Sequence, residues 1–185
     1  ERKDYKIIPE NTVTKKVEIE IKNKLRENST FTFNFGSSIV DYNEGNPLPF
    51  FNYTFSTGDY IDSLKISGFV KDAYEIDSLD FVSIHLYPVD SVFNDSTIYN
   101  QKPFYVGNTL DSIYFELKNL APGKYEFIAI KDQSKNYYFD QSFDKIGFFE
   151  KPIEIPKDSF FLPVLFKEIT NFQWGRAKII NNHHI

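Results

Sequence analysis

Short runs in which apolar and polar residues alternate constrain the fold of this 185-residue chain more than any other feature. The runs "VEIEI" at 17–21, "FTFNF" at 31–35 and "FNYTF" at 51–55 place an apolar side chain at every second position. Side chains of a β-strand point alternately to its two faces, so each run predicts a strand with one apolar face. No long stretch repeats apolar residues at helical spacing, and the chain is therefore predicted to be all-β.

Composition supports this prediction and excludes several classes of function. Aromatic residues make up 18% of the chain, with 20 Phe and 12 Tyr, and such side chains fit a pleated sheet well. The net charge is -5 and no basic stripe is present, so nucleic acid is not an expected partner. The lack of cysteine excludes thiol catalysis, zinc–thiolate sites and disulfides.

Two features concern the membrane and the precursor. No apolar run approaches the roughly 20 residues of a membrane helix. The sequence begins with Glu1 and not with Met. We therefore expect it to be a piece of a longer precursor whose targeting segment lies outside these residues.

Strand-like runs continue from Asp59 onward, and turn signals separate them. The runs are "SLKISGFVKD", "DFVSIHLYPVD", "YFELKNL", "YEFIAIKD" and "KIGFFEKPIEI". Their spacing predicts a sandwich, with "FFLPVLFKEI" as a last strand or a linker. Gly68 is expected to mark a bulge or a close approach of two strands. His85, between Ile84 and Leu86, is expected to be a surface or cross-strand residue.

The stretch "DYNEGNPLPFFNYTFSTG" from Asp41 to Gly58 begins with the oxygen-rich pattern of a metal loop. A calcium loop needs about six oxygen ligands and a bidentate carboxylate late in the run. Here Pro-Leu-Pro-Phe follows instead. We predict a turn, in which Gly45 adopts a positive φ and Asp41 or Asn43 caps backbone N–H groups.

The segment "KDQSKNYYFDQSFD" holds the densest polar cluster and resembles the start of a calcium loop. Tyr137 stands where the loop glycine would be and Phe143 where the bidentate Glu would be. The alternative is a polar hairpin loop capped by Asp and Asn. Apart from this candidate calcium ion, no cofactor is expected. The candidate calcium ligands are Asp132, Asn136, Asp140 and Asp144.

The sequence carries no recognisable catalytic constellation. G-x-S-x-G, H-E-x-x-H, a Gly-rich phosphate loop and a paired-carboxylate signature are all missing. His183 and His184 lie near the terminus without carboxylates at a useful spacing. We therefore expect a protein that is not an enzyme.

Aromatic residues in polar surroundings have two interpretations. "NYYFD" and "FFNY" could form a stacking platform for sugar rings, or these rings could fill the core of a sandwich. Exposed aromatics also dominate the hot spots of protein interfaces. The predicted interface residues are Phe50, Phe51, Tyr99, Phe104, Tyr105, Tyr137 and Tyr138.

Longer motifs resemble known families. "ENSTFTFNFGSSIVDYNEGNPLPFFNYTFSTG" resembles the second half of a bacterial Ig-like domain of the S-layer-protein type. "LKISGFVKD", "FVSIHLYPVD" and "FELKNLAPGKYEFIAIKDQSKNYYFD" resemble the prealbumin-like, carboxypeptidase-regulatory-like sandwich. The hairpin "L-x-N-L-x-P-G-x-Y" is the most specific of these signals. In this order, and followed by "LFKEI", they are similar to Ig-like surface lipoproteins of Bacteroidetes.

The resemblance implies tandem β-sandwiches, the first of them incomplete in this chain. The C-terminal part of an Ig-like domain would occupy 1–58, a prealbumin-like sandwich 59–165, and a linker or further segment 166–185. Three strands are too few for a sandwich of about 100 residues. The missing strands are expected from a preceding segment of the precursor.

The resemblance also implies a location and a role. The protein would be a non-catalytic structural or docking module on the extracellular face of the outer membrane, held by a lipid anchor outside these residues. It would serve as an accessory subunit of an envelope complex, such as β-barrel transport or assembly machinery, with other outer-membrane or surface proteins as partners. The alternative is a carbohydrate-binding surface protein for glycan uptake.

Five Asp-Ser pairs are followed by an aliphatic residue or Thr. This pattern resembles the O-glycosylation sequon of Bacteroidetes envelope proteins, although Asp-Ser is also ordinary turn chemistry. The candidate glycosylation sites are Ser63, Ser78, Ser91, Ser96 and Ser112.

Overall fold

The computed structural model describes residues 5–9, 14–36, 38–48, 51–74, 81–90, 93–109 and 112–167. Within them the chain is nearly all-β, which confirms the predicted class. The elements are β1 (Tyr5–Ile8), β2 (Glu18–Ile21), β3 (Thr30–Asn34), β4 (Asn52–Ser56), β5 (Leu64–Phe69), β6 (Lys71–Asp72), β7 (Ser83–Pro88), α1 (Thr97–Asn100), β8 (Tyr105–Asn108), β9 (Tyr114–Leu120), β10 (Gly123–Lys131), β11 (Lys145–Phe148), β12 (Ile153–Ile155), β13 (Phe160–Phe161) and β14 (Val164–Leu165).

The chain divides into two compact units. Unit 1 comprises Glu1–Ile66, Leu117–Gly123 and Ile155–Ser159. Unit 2 comprises Ser67–Glu116, Lys124–Glu154 and Phe160–Ile185. The predicted domain boundaries after residues 58 and 165 stay predictions.

Unit 1 contains two antiparallel two-stranded sheets, β1–β2 and β3–β4. The alternating runs at 17–21, 31–35 and 51–55 form strands as predicted, whereas β1 was not predicted. Ile7 pairs with Ile19 in the first sheet, and Phe31 pairs with Phe55 in the second. The β3–β4 sheet therefore carries its aromatic side chains on one face, whereas in the β1–β2 sheet Ile8 lies on the face opposite to Ile7 and Ile19.

The loop between β3 and β4 is a turn, as predicted. The Asp41 carboxylate accepts hydrogen bonds from the backbone N–H groups of Asn43 (3.0 Å), Glu44 (2.7 Å) and Asn46 (2.8 Å). The bond from Glu44 is the main reason why the pKa of Asp41 is lowered. Gly45 adopts a φ of +72°, a conformation that glycine reaches without strain.

Two larger sheets are built from the remaining strands. One follows the order β11-β10-β7-β8, with β12 also pairing with β10, and the other follows the order β13-β5-β9. β10 pairs antiparallel with both β7 and β11, while the short β13 lies parallel to β5. A separate two-stranded sheet pairs β14 with β6 in parallel.

A cluster of phenylalanines joins the two larger sheets in unit 2. The Phe127 ring of β10 lies 5.8 Å from the Phe115 ring of β9 and 5.4 Å from the Phe161 ring of β13, measured between centroids. Phe149 lies 5.1 Å from Phe127. All but Phe149 are at least nine-tenths buried. This face-to-face packing is consistent with a β-sandwich.

Gly68 marks a close approach of two strands, one of the two roles predicted for it. A Cβ at this position would lie 2.0 Å from the Phe161 carbonyl oxygen and 2.8 Å from the Phe115 ring. A side chain at residue 68 would therefore push β13 away from β5.

His85 was predicted to be a surface or cross-strand residue, and it is the second: it lies opposite Ile128 of β10 and is completely buried. Residues 83–87 are buried on both faces of β7. The inner face, with Ile84 and Leu86, faces the phenylalanine core. The outer face, with Ser83, His85 and Tyr87, is covered by residues that follow later in the chain. This cover is not visible in the sequence of the strand itself.

Candidate functional site

Two segments cover the outer face of β7, residues 93–101 and 136–144, and together we call them the cap. Phe139 of the cap belongs to a buried cluster with Tyr87 and Ile128, and Phe93 and Ile98 of the cap pack against that cluster. The Phe139 backbone N–H donates to the Ile98 carbonyl at 3.0 Å. The two segments of the cap are thus joined to each other as well as to the sheet below.

The cap presents aromatic side chains at its surface. Tyr99 is 43% exposed, and its ring lies 5.4 Å from that of Phe139. Tyr137 is 37% exposed, and its ring lies 6.1 Å from His85. Tyr138 is half-buried. Three of the seven predicted interface residues therefore lie on this one structural feature, and Tyr99 and Tyr137 each lie next to a buried side chain.

The other predicted interface residues lie elsewhere. Phe104 and Tyr105 form an edge-to-face pair 4.7 Å apart, and Tyr105 packs on Tyr125 at 5.8 Å, on the inner-face side of the sheet. Phe51 lies in unit 1, beside β4. Phe50 is outside the described residues.

Beneath the cap lies a buried polar pair. The Ser83 hydroxyl and His85 Nε2 are hydrogen-bonded at 2.8 Å, and both side chains are completely buried. His85 Nδ1 has no hydrogen-bond partner among the described residues. Burial lowers the pKa of His85 from its ordinary 6.5 to about 4. The pair is out of reach of a substrate in this conformation and acts as part of the core.

The predicted calcium ligands lie in the loop that contributes to the cap. Asp144 is buried, and its two carboxylate oxygens accept the backbone N–H groups of Gln133 (3.0 Å) and Asp140 (2.8 Å). Asp132 Oδ2 accepts the Tyr137 N–H at 2.8 Å, while its buried Oδ1 has no partner among the described residues. Burial, and then the nearby Asp132 and Asp140 charges, raise the pKa of Asp144.

Asn136 and Asp140 cap the same loop. Asn136 Oδ1 accepts the Tyr138 N–H at 2.8 Å, and Asp140 Oδ1 accepts the Ser142 N–H at 2.9 Å. N–H groups aimed at these oxygens compete with a cation for the same lone pairs. Within the described part of the chain, no group of three or more His, Asp or Glu side chains is placed to hold a metal ion. The geometry favours the capped loop, and calcium binding stays a prediction.

Three of the five candidate glycosylation serines are described, and all three are exposed: Ser63, Ser96 and Ser112. The Ser112 hydroxyl accepts the Tyr114 N–H at 3.0 Å, which is turn chemistry. Ser63 follows the buried Asp62, whose carboxylate accepts the Thr30 hydroxyl at 2.8 Å. Ser78 and Ser91 are outside the described residues, as are His183 and His184.

Comparison with family models, curated proteins and solved structures finds no match to this chain. Among the described residues, no helix is long and apolar enough to cross a membrane.

Proposed function

We propose that this chain is a non-catalytic structural and docking module of an outer-membrane surface lipoprotein, built from Ig-like and prealbumin-like sandwiches. It acts as an accessory subunit of an envelope complex and binds another surface or outer-membrane protein. The observation that carries the proposal is the cap, which holds Tyr99 and Tyr137 partly exposed on a buried aromatic base.

Ordered aromatic side chains suit a docking surface for two reasons. Tyr supplies a large contact area together with a hydroxyl, and such residues dominate interface hot spots. Binding also costs less when side chains are already ordered in the free protein. Tyr99 rests on Phe139 and Tyr137 on His85, so neither ring needs to be ordered anew by a partner.

The buried chemistry supports a non-catalytic role. The Ser83–His85 pair is the arrangement closest to a nucleophile and its base in the described residues, and it is enclosed in the core. Both carboxylate oxygens of Asp144 and one oxygen of Asp132 accept backbone N–H groups of this loop.

Co-purification in the native host tests the proposal. Envelopes are extracted in mild detergent, and the protein is isolated under native conditions. We expect an outer-membrane or surface protein at a fixed stoichiometry, and we expect protease treatment of intact cells to cleave the module. A module that is purified alone, or that is protected in intact cells, would contradict the proposal.

The alternative is carbohydrate binding, for which the partly exposed rings of Phe51 and Tyr53 in unit 1 offer faces on which a sugar ring can stack.

A further inference from the structure

His85 lies directly beneath the cap. Its ring is completely buried, with the Tyr137 ring of the cap 6.1 Å away and the Tyr87 ring of its own strand 6.3 Å away, measured between centroids. Nε2 is hydrogen-bonded to the Ser83 hydroxyl at 2.8 Å, and Nδ1 has no hydrogen-bond partner among the described residues. The cap therefore keeps water from a ring nitrogen that the protein itself leaves without a partner.

A proton on the His85 ring has no favourable place while the cap is closed. The imidazolium carries an N–H on each nitrogen, and the Ser83 hydroxyl can accept one of them. The Nδ1–H would be a buried donor without an acceptor, and the added charge would be cut off from water. Protonation is therefore unfavourable beneath the cap and becomes favourable once water reaches the ring.

Charged groups around His85 do not offset this cost. β8 places the uncharged Val106 opposite His85, and β10 places Ile128 there. The titratable side chains on the elements around the ring are Tyr87 on β7, Glu126 on β10, Asp132 directly after β10, and Tyr137, Tyr138 and Asp140 in the cap. Burial accounts for the lowered pKa of His85, whereas a carboxylate placed to stabilise the imidazolium would raise that pKa.

Segment 136–144 of the cap is shaped largely by hydrogen bonds within its own loop. Residues 132–144, all of which the structure describes, contain no strand. Asp132 Oδ2 accepts the Tyr137 N–H, and Asp144 Oδ2 accepts the Asp140 N–H, each at 2.8 Å. The segment can therefore move away from β7 with these internal bonds intact.

A few contacts hold this segment against the rest of unit 2. The Phe139 side chain is buried, and its N–H donates to the Ile98 carbonyl at 3.0 Å. The Tyr137 ring lies over His85. Lys135 and Tyr137 adopt φ values of +53° and +65°, a left-handed conformation that is unfavourable for residues with a Cβ. Opening of the segment allows this backbone strain to relax, and it exposes the His85 ring.

We propose that His85 is a pH-sensitive latch of the cap: uptake of a proton by its buried ring releases segment 136–144 from β7. The segment carries Tyr137, so its release in mild acid removes part of the docking surface. That consequence rests on the docking function proposed above. The opening itself does not, and it is measured on the protein without a partner.

The size of the effect follows from proton linkage. The pKa of His85 is about 4 beneath the cap and near 6.5 in water, so opening takes up a proton and becomes roughly 20-fold more favourable between about pH 7 and about pH 5. Burial, and then the Asp95 charge, raise the pKa of Glu126, and burial raises the pKa of Asp144. Proton uptake by these two carboxylates acts in the opposite direction, and His85→Gln leaves that effect in place.

Hydrogen exchange of the whole protein tests the latch. Protection factors, which correct for the intrinsic exchange rate at each pH, are measured for the Phe139 and Asp140 N–H groups of the cap. The reference is the Val70 N–H just after β5, which donates to the Ile113 carbonyl at 2.8 Å. The wild type is compared with His85→Gln, which keeps a polar side chain beneath the cap but does not titrate. Thermal unfolding establishes that the variant remains folded.

We expect the cap N–H groups to be less protected than the Val70 N–H at both pH values, because the cap opens without global unfolding. Between about pH 7 and about pH 5 their protection should fall in the wild type, by roughly 20-fold more than in His85→Gln.

The latch is overturned if the cap N–H groups are as well protected as the Val70 N–H, since the cap then opens only when the whole unit unfolds. It is also overturned if wild-type protection does not fall, or if the fall is the same in His85→Gln. The first two outcomes need the wild type alone, so they decide the matter even if the variant does not fold. No partner enters the measurement, so failure of the docking function leaves its result unchanged.

Discussion

The Lys145 ammonium lies 2.7 Å from the Asp72 carboxylate, and the Asp72 side chain is completely shielded from solvent. The pair joins β11 to β6 across 73 residues of sequence. Asp72 also accepts the Tyr74 N–H at 2.9 Å through its other oxygen. The charge of a carboxylate that is enclosed in this way is stabilised by its cation, because water cannot reach the carboxylate and solvate it in place of that cation.

Replacing Lys145 by Met should therefore destabilise unit 2 strongly. The variant leaves a buried carboxylate without its cation, which typically costs about 3–5 kcal/mol. Chemical denaturation measures the loss, and Lys124→Met, on the exposed part of β10, is the matched control. A loss below about 1 kcal/mol for Lys145→Met would show that the pair behaves like a surface salt bridge.

Gly68→Ala should loosen the contact between β5 and β13. The added Cβ would lie 2.0 Å from the Phe161 carbonyl oxygen. Because this oxygen belongs to the backbone, the clash can be relieved only if strand β13 moves. We expect a loss of about 1–3 kcal/mol or more in the free energy of unfolding. Ser67→Ala, on the preceding residue, serves as the control. Equal stability of the two variants would be incompatible with the close approach.

His85 should make the protein less stable in mild acid. Its pKa is about 4 in the folded protein and near 6.5 in the unfolded chain, so the unfolded chain takes up a proton first. The stability contributed by neutral His85 is complete above about pH 6.5 and declines toward pH 4, by about 3 kcal/mol in all.

The pH effect is measured by comparing the wild type with His85→Gln. The pKa of Asp144 is raised, so its protonation favours the folded state as the pH falls and works in the opposite direction. That effect is common to both proteins and cancels in the comparison. Denaturation curves between about pH 7 and pH 4.5 should show a steeper loss in the wild type. Parallel curves would contradict the role assigned to His85.

Asp144 and Asp132 distinguish a capped loop from a calcium site. Asp144→Ala leaves the Gln133 and Asp140 N–H groups without their acceptor, which should cost about 1–3 kcal/mol. If the carboxylates are caps, this loss is the same in excess calcium and in excess chelator. A melting temperature that falls on chelation, with the response abolished in Asp132→Ala, would establish the calcium ion instead.

Local patterns in the sequence predict the strands whose alternation is long and regular. β3 and β4 are visible as "FTFNF" and "FNYTF", and the turn at Asp41 follows from its Asp, Asn and Gly residues. β1 and β8 have only four residues each, and so does α1. β2 is equally short but was predicted because its apolar and charged residues alternate, whereas the sequences of β1, β8 and α1 carry no such regular pattern, and these elements were not predicted.

The cap could not be predicted from local pattern either. Tyr99 and Phe139 are 40 residues apart in sequence and meet only because both segments fold over β7. The same cover buries His85, and nothing in the sequence of β7 itself shows that cover. The polar loop was recognised from its Asp and Asn residues, but whether their oxygens face N–H groups or a cation depends on backbone conformation. Lys135 and Tyr137, with φ values of +53° and +65°, show how unusual that conformation is.

Release of a native partner by substitutions in the cap tests the docking function most directly. Three proteins are purified from detergent-solubilised outer membranes of the native host: the wild type, the Tyr99→Ala/Tyr137→Ala double variant and the control Tyr114→Ala. Tyr114 is 41% exposed, much like Tyr99, and lies on β9 of the other large sheet. We predict that one partner accompanies the wild type and the control at the same stoichiometry and is lost from the folded double variant, because aromatic hot spots carry most of the binding energy. A partner that stays bound to the double variant, or a wild-type protein that emerges alone, would contradict the account.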